Sequence, residues 1–336
     1  MKNKKILLLA LLSLIGISML SGCGATTASI TQTEENKIRI VCTTFPQYDW
    51  VRQIIKGQEE QFELTLLLEN GTDLHNYQPT ADDMIKISSS DLFLYIGGES
   101  DRWVDDALQE AVNQNLESIN LMEALGSDVK EEEIVEGMQE EDHHDHDGHD
   151  DHDEEEEEEY DEHIWLSLRN AKKLVGTISS SIIKLDPTNA SLYEQNTASY
   201  LQQLTQLDSK YTEVLSQTAR QVLLFGDRFP FRYLVDDYGL DYYAAFVGCT
   251  TETEASFETI AFLVGKVEEE NLPFILVTEG SDKKIATSII NNSNRSDTEI
   301  LVLNSMQSVT KTDIEDGITY LSIMTDNLDT LEQALN

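Results

Sequence analysis

The chain has 336 residues, 40% of them hydrophobic, and a formal net charge of −40, with 63 Asp and Glu against 23 Lys and Arg. Such acidity excludes nucleic acid as a natural partner, because phosphate contacts need clustered Lys and Arg. The length suffices for two α/β domains with real cores.

Lys2, Lys4 and Lys5 precede an apolar run over residues 6–20. This reads as a secretory signal peptide over residues 1–22, too short for a comfortable membrane span. It ends in Leu20-Ser21-Gly22-Cys23, the small-residue-then-Cys pattern of a bacterial lipoprotein signal. Cys23 is then expected to carry the lipid that anchors an exported protein to the cell membrane, facing the outside or a periplasm. Residues 23–36 are small and polar and read as a tether. No other stretch is apolar enough to span.

Strands and helices alternate from Lys37 onward. Strands are expected at 38–42, 62–68 and 92–96, and helices at 47–56, 81–89 and 103–113. Residues 131–162 hold 20 Asp and Glu and no Lys or Arg, and read as a disordered loop. After Asp186-Pro187, residues 189–218 carry a helical stripe of Leu and Tyr. That helix spans roughly 45 Å at 1.5 Å per residue, enough to run from one domain to another. A second alternating set follows, with strands at 222–225, 242–246, 274–278 and 300–303, and helices at 257–269, 283–291 and 321–335. The fold class is α/β: two lobes, each a mostly parallel sheet flanked by helices, with one long helix between them. The lobes are placed at 37–187 and 219–336, with the linking helix over 188–218.

All seven histidines fall where a metal could be held. His143, His144, His146, His149 and His152 lie in the acidic run. His75 and His163 lie outside it. Open parallel sheets bind ligands beyond the carboxyl ends of their strands. That rule selects the loop around His75, the turn Gly226-Asp227-Arg228 and the loop Glu279-Gly280-Ser281-Asp282. Two imidazoles with one or two carboxylates suit four-coordinate zinc.

The chain resembles the zinc- and manganese-binding lipoproteins of bacterial ABC importers, the cluster A-I or cluster 9 solute-binding proteins. The matching segments include Asp73-Leu74-His75-Asn76-Tyr77-Gln78-Pro79-Thr80, His163-Ile164-Trp165-Leu166 and Tyr238-Gly239-Leu240. The resemblance covers nearly the whole mature chain. It implies two α/β lobes joined by one long rigid helix and a metal held between them, with His75 and His163 as first-lobe ligands and an ABC permease with its ATPase as partners. The chain departs from the family at the third ligand, where Arg228 stands. Arg stays protonated and cannot ligate, so Asp227 beside it is the expected substitute. Asp282 is the expected fourth ligand. Glu279 is the alternative, or a partner that orients a ligand.

Zinc is the expected cargo and manganese the alternative, since the affinity order favours zinc. The His-rich run is expected to gather metal or sense excess, so that removing 131–162 should leave the tight site intact. Cys42 and Cys249 suit a disulfide across the lobes, thiolate ligation, or two separate buried thiols; the last is preferred. A monomer is expected. A secreted zinc hydrolase is the reading from another class, but neither a His-Glu-x-x-His helix nor a Ser nucleophile elbow occurs. A surface adhesin is a third reading, with no face in the sequence to support it.

Overall fold

The computed structural model describes residues 37–139, 159–250, 254–295 and 297–336. Ile38–Asn336 forms one compact unit. The signal segment, Cys23 and the five histidines between 143 and 152 lie outside the described residues.

The first sheet contains β1 (Ile38–Cys42), β2 (Phe62–Leu66), β3 (Leu92–Tyr95) and β4 (Glu117–Asn120), in the order β2-β1-β3-β4. The second contains β5 (Val222–Phe229), β6 (Asp241–Val247), β7 (Phe274–Thr278) and β8 (Glu299–Leu303), in the order β6-β5-β7-β8. Every pairing is parallel. Strands of this kind are buried on both faces and read as apolar runs. Phe93 and Leu94 in β3 and Ile275, Leu276 and Val277 in β7 are at most 1% exposed.

The first helix begins at Phe45, before the expected start at 47. Pro46 is tolerated there because first-turn amides have no intrahelical acceptor. The Gln47 side-chain oxygen accepts from the Thr43 and Thr44 amides and seals the turn. The linking helix runs Ala190–Leu215, shorter at both ends than expected. Its buried face is Tyr193, Thr197, Tyr200, Leu204, Leu207, Tyr211 and Leu215. It is fastened to both lobes. Asn196 donates to the Ile54 and Lys56 carbonyls, and the Tyr211 hydroxyl donates to the Met324 carbonyl at 2.5 Å.

A helix not expected from the sequence, Leu168–Leu185, packs beside it. Leu168, Ala171, Leu174, Val175, Ile178 and Ile182 form its buried stripe. Each of the larger of these contributes about 1.5–3 kcal/mol by leaving water. Ser179 and Thr197 hydroxyls meet at 2.8 Å inside the helix pair, so these buried hydroxyls satisfy each other.

β5 continues past the expected end at Phe225 to Phe229, with a register shift against β6 between Phe225 and Arg228. Gly226-Asp227-Arg228 is therefore strand and not a turn. Gly226 fits because a Cβ there would stand 2.7 Å from the Cα of Ala286. Both ends of the acidic segment, expected to be disordered over 131–162, are held against the body, and residues 140–158 lie outside the described residues. Glu131 bridges Tyr160, Met138 is 8% exposed, and Asp161 and Glu162 are buried.

Candidate metal centre

The carboxyl ends of the parallel strands converge on one cleft. The connection after β2 carries Asp73 and His75. The connection after β3 carries Gly97, Gly98 and Ser100. The end of β6 leads into Gly248 and Cys249.

His75 lies in a single tight turn, Leu74–Asn76, whose start is capped by the Asp73 carboxylate accepting the His75 amide at 3.0 Å. His163 is held from Asp161: its amide donates to Asp161 Oδ1 at 2.7 Å, and its ring Nδ1 lies 2.9 Å from the same oxygen. Trp165 packs against the His163 ring, with centroids 5.3 Å apart, and is itself pinned by donating to the Ser305 carbonyl. Gly248 completes the seat. A Cβ there would meet the Phe229 carbonyl oxygen at 2.9 Å and His163 Cε1 at 3.0 Å.

The two imidazoles face each other, Nε2 to Nε2, at 3.2 Å. Tetrahedral zinc bound to two imidazoles at 2.0–2.1 Å sets its nitrogens about 3.3 Å apart. The partners of the other nitrogens fix what faces inward. His163 Nδ1 is directed at a carboxylate acceptor, and His75 Nδ1 lies 2.9 Å from Ser100 Oγ and 3.5 Å from Glu162 Oε2. With the proton on each Nδ1, both Nε2 atoms present lone pairs to the same point. That arrangement suits a cation between them.

Burial, then the neighbouring His163 charge, lowers the His75 pKa to about 3, which keeps its ring neutral. Burial opposes charge on His163 as well, but Asp161 and then Glu162 outweigh it and raise the pKa. Where the pair takes up a proton, His163 receives it.

His75, His163 and Cys249 each place one donor atom within 4.8 Å of the others. Cys249 is partly buried, and its backbone amide donates to Glu132 Oε1 at 3.1 Å. Burial and then the carboxylates of Asp161, Glu132 and Glu162 push its thiol well above the usual range. Cys42 is buried elsewhere, and both thiols are free, so the expected alternative of a disulfide is not formed.

Asp227 and Asp282 are not in this group. The Asp227 oxygens are committed within the second sheet. Oδ2 accepts from Thr278 N at 3.1 Å and Thr278 Oγ1 at 2.8 Å, and Oδ1 accepts from Arg228 N. The strand extension that the sequence concealed is the reason: inside β5, Asp227 ties that strand to the end of β7. Asp282 is exposed and pairs with Lys284. Glu279 is used as a clamp on the next loop, accepting from Ser305 N and Oγ, Gln307 N and Ser308 N. These three carboxylates line a separate cavity of about 320 Å³ with Asp73 and Arg228.

Sequence reasoning underrated Cys249 and did not single out Asp161, Ser100 or Gly248. Asp161 had a signal, since an acid two residues before a histidine can reach its ring. Cys249 had one too, its place at a strand end, which left thiolate ligation open as an alternative; its distance from the two imidazoles depends on tertiary packing.

A family model described as zinc-uptake complex component A, periplasmic (ZnuA), matches residues 40–334. The high-affinity zinc uptake system protein ZnuA of Bacillus subtilis (strain 168) is 29% identical over 318 residues, covering 94% of each chain. The zinc-binding lipoprotein AdcA of Streptococcus pneumoniae (strain R6) is 31% identical over 303 residues, 89% of this chain but 56% of that longer protein. Among solved structures, the Zn(II)-bound ZnuA-like domain of Streptococcus pneumoniae AdcA superposes with a TM-score of 0.67 at 27% identity, covering 89% of this chain and 99% of that one. The metal-dependent lipoprotein YcdH of Bacillus subtilis gives 0.69 at 26%, with the same coverage.

Proposed function

The chain belongs to the zinc-uptake complex component A family, and from that membership we propose that it captures extracytoplasmic Zn(II) and delivers it to the permease of an ABC importer. The observation that carries this reading is the pair of buried imidazoles, His75 and His163, with Nε2 atoms 3.2 Å apart and Nδ1 atoms turned to hydroxyl and carboxylate partners. Zinc is the cargo and no bond in it is made or broken beyond ligand exchange, so the protein works as a solute-binding component and not as an enzyme.

Cys23 carries the lipid that keeps the protein at the membrane, and an ABC permease with its ATPase receives the metal. His143, His144, His146, His149 and His152 collect zinc weakly near the cleft. The interleaved imidazoles and carboxylates of that run support this role, because solubility alone would need only the acids.

Competition of the purified protein against a chromogenic zinc chelator tests the reading. One tight equivalent is expected, lost in both His75→Ala and His163→Ala. Tight zinc retained by either variant would place the site elsewhere.

A further inference from the structure

The expected third ligand is missing twice over. Arg228 is cationic and bound to Asp73 and to the Thr250 carbonyl. Asp227 beside it is spent on Thr278. Yet β6 is hydrogen-bonded to β5 in the same sheet, and the chain leaving β6 passes the imidazoles. Gly248 brings that chain against the His163 ring, since any side chain there would meet the ring and the Phe229 carbonyl. The next residue is Cys249.

We propose that Cys249 supplies a thiolate ligand to the bound metal, in place of the ligand displaced by Arg228, so that the second lobe grips the cargo through sulfur. The proposal rests on the zinc-capture reading above and deepens it.

Three observations support it. Cys249 Sγ stands within 4.8 Å of both imidazole donors. Zinc–nitrogen and zinc–sulfur bonds of about 2.1 and 2.3 Å at a tetrahedral angle separate N and S by about 3.6 Å, which small side-chain movements reach. Independently, Glu162 is 2% exposed, and its Oε2 is buried with no hydrogen-bond partner, 3.5 Å from His75 Nδ1. A buried carboxylate oxygen left in this state is costly unless a positive charge arrives nearby. Glu162 and Cys249 line one cavity of about 140 Å³ together with Glu132 and Glu159, which gives a dication an acidic approach to the thiol.

The binding step is balanced without any redox partner. The Cys249 S–H bond breaks, its proton leaves to solvent, and a sulfur–metal bond forms. Such a donor set favours zinc, cobalt and cadmium over manganese, because thiolate is a soft ligand. Cys249 is thereby a specificity determinant.

Co(II) is the probe. Titrated into the full mature chain, it should develop a sulfur-to-cobalt charge-transfer band that saturates at one equivalent. The band should vanish in Cys249→Ser and persist in Cys42→Ser, and zinc affinity of Cys249→Ser should fall at least ~10–100-fold. Stoichiometric zinc should also protect Cys249 of the unmutated protein from iodoacetamide, read by peptide mass spectrometry, which needs no variant to fold. A protein that holds one His75-dependent zinc, lacks the band and leaves Cys249 open to alkylation would overturn the thiolate and leave zinc capture standing. A protein that holds no zinc would overturn zinc capture itself.

Discussion

Arg228 of the second lobe closes on Asp73 of the first, with Nη2 2.5 Å from Oδ2. The side chains are 23% and 18% exposed, so the pair is shielded but not dry. Burial works against the Asp73 carboxylate, yet Arg228 and then His75 hold its pKa below the ordinary value. Arg228→Ala should therefore lower the stability of the metal-free protein by about 1–2 kcal/mol. Urea unfolding monitored by tryptophan fluorescence measures this. Zinc stoichiometry should remain one, because Arg228 ligates nothing.

Asp161 holds His163 by its amide and its ring. Asp161→Asn keeps the shape but loses the charge that fixes the ring. Zinc affinity should fall about 10–100-fold, as for other carboxylates behind a metal-binding imidazole. Unchanged affinity in the chelator competition would remove Asp161 from the site.

Deletions of the acidic segment should divide by extent. Removing residues 140–158 should leave one tight zinc. Removing 131–162, expected from sequence to be harmless, should abolish it, since that cut takes Asp161, Glu162 and Glu132 from around His163, His75 and Cys249. Calorimetry on the two proteins separates the outcomes.

Asp101, next to Ser100 and raised in part by Glu162, gives the fold a pH dependence of its own. It accepts from the Ile96 and Gly97 amides, and burial above all pushes its pKa up from 3.8 to about 7. The folded state then holds a proton that the unfolded chain releases. Its contribution is full below the unfolded value and is lost as pH rises through the folded one. Asp101→Asn should gain stability relative to the parent between pH 3.8 and about 7, and the difference should be flat above that. Denaturation at a series of pH values reads it directly.

Gly248→Ala should weaken zinc binding. The added methyl meets a backbone oxygen at 2.9 Å, which cannot yield cheaply, and the His163 ring at 3.0 Å, which must then turn. A zinc affinity equal to the parent's would show that the ring does not depend on this contact.

Much of this was legible in the sequence. The helix Phe257–Glu269 and the strand Phe274–Thr278 lie where the apolar pattern places them, because local periodicity decides such elements. His75 and His163 stood out through their flanking residues. Leu168–Leu185 was legible in principle, since its apolar residues recur at helical spacing. The role of Asp227 was not legible. Gly226 looks like a strand terminator, and only the close approach of Ala286 shows why a glycine is needed inside the strand. Cys249 was the least accessible of all. Its neighbours lie 86 and 174 positions earlier in the chain, at His163 and His75, and the packing of segments so far apart in sequence leaves no local pattern.

The largest apolar cluster among the described residues runs through both sheets, beside a smaller one in each. Ile40 and Leu94 of the first sheet, Tyr200 and Leu204 of the linking helix, and Leu276 and Leu303 of the second belong to the same buried cluster. The C-terminal helix adds to it from the far end of the chain: the Tyr320 amide donates to Asp49 and its hydroxyl to the Trp165 carbonyl. Unfolding of either lobe therefore exposes the cluster that both share. A single melting transition follows. At a zinc concentration 100 times the Kd, about 2.7 kcal/mol of linkage is added to that one transition, so the cargo protects both lobes of its carrier from unfolding and release withdraws the protection from both.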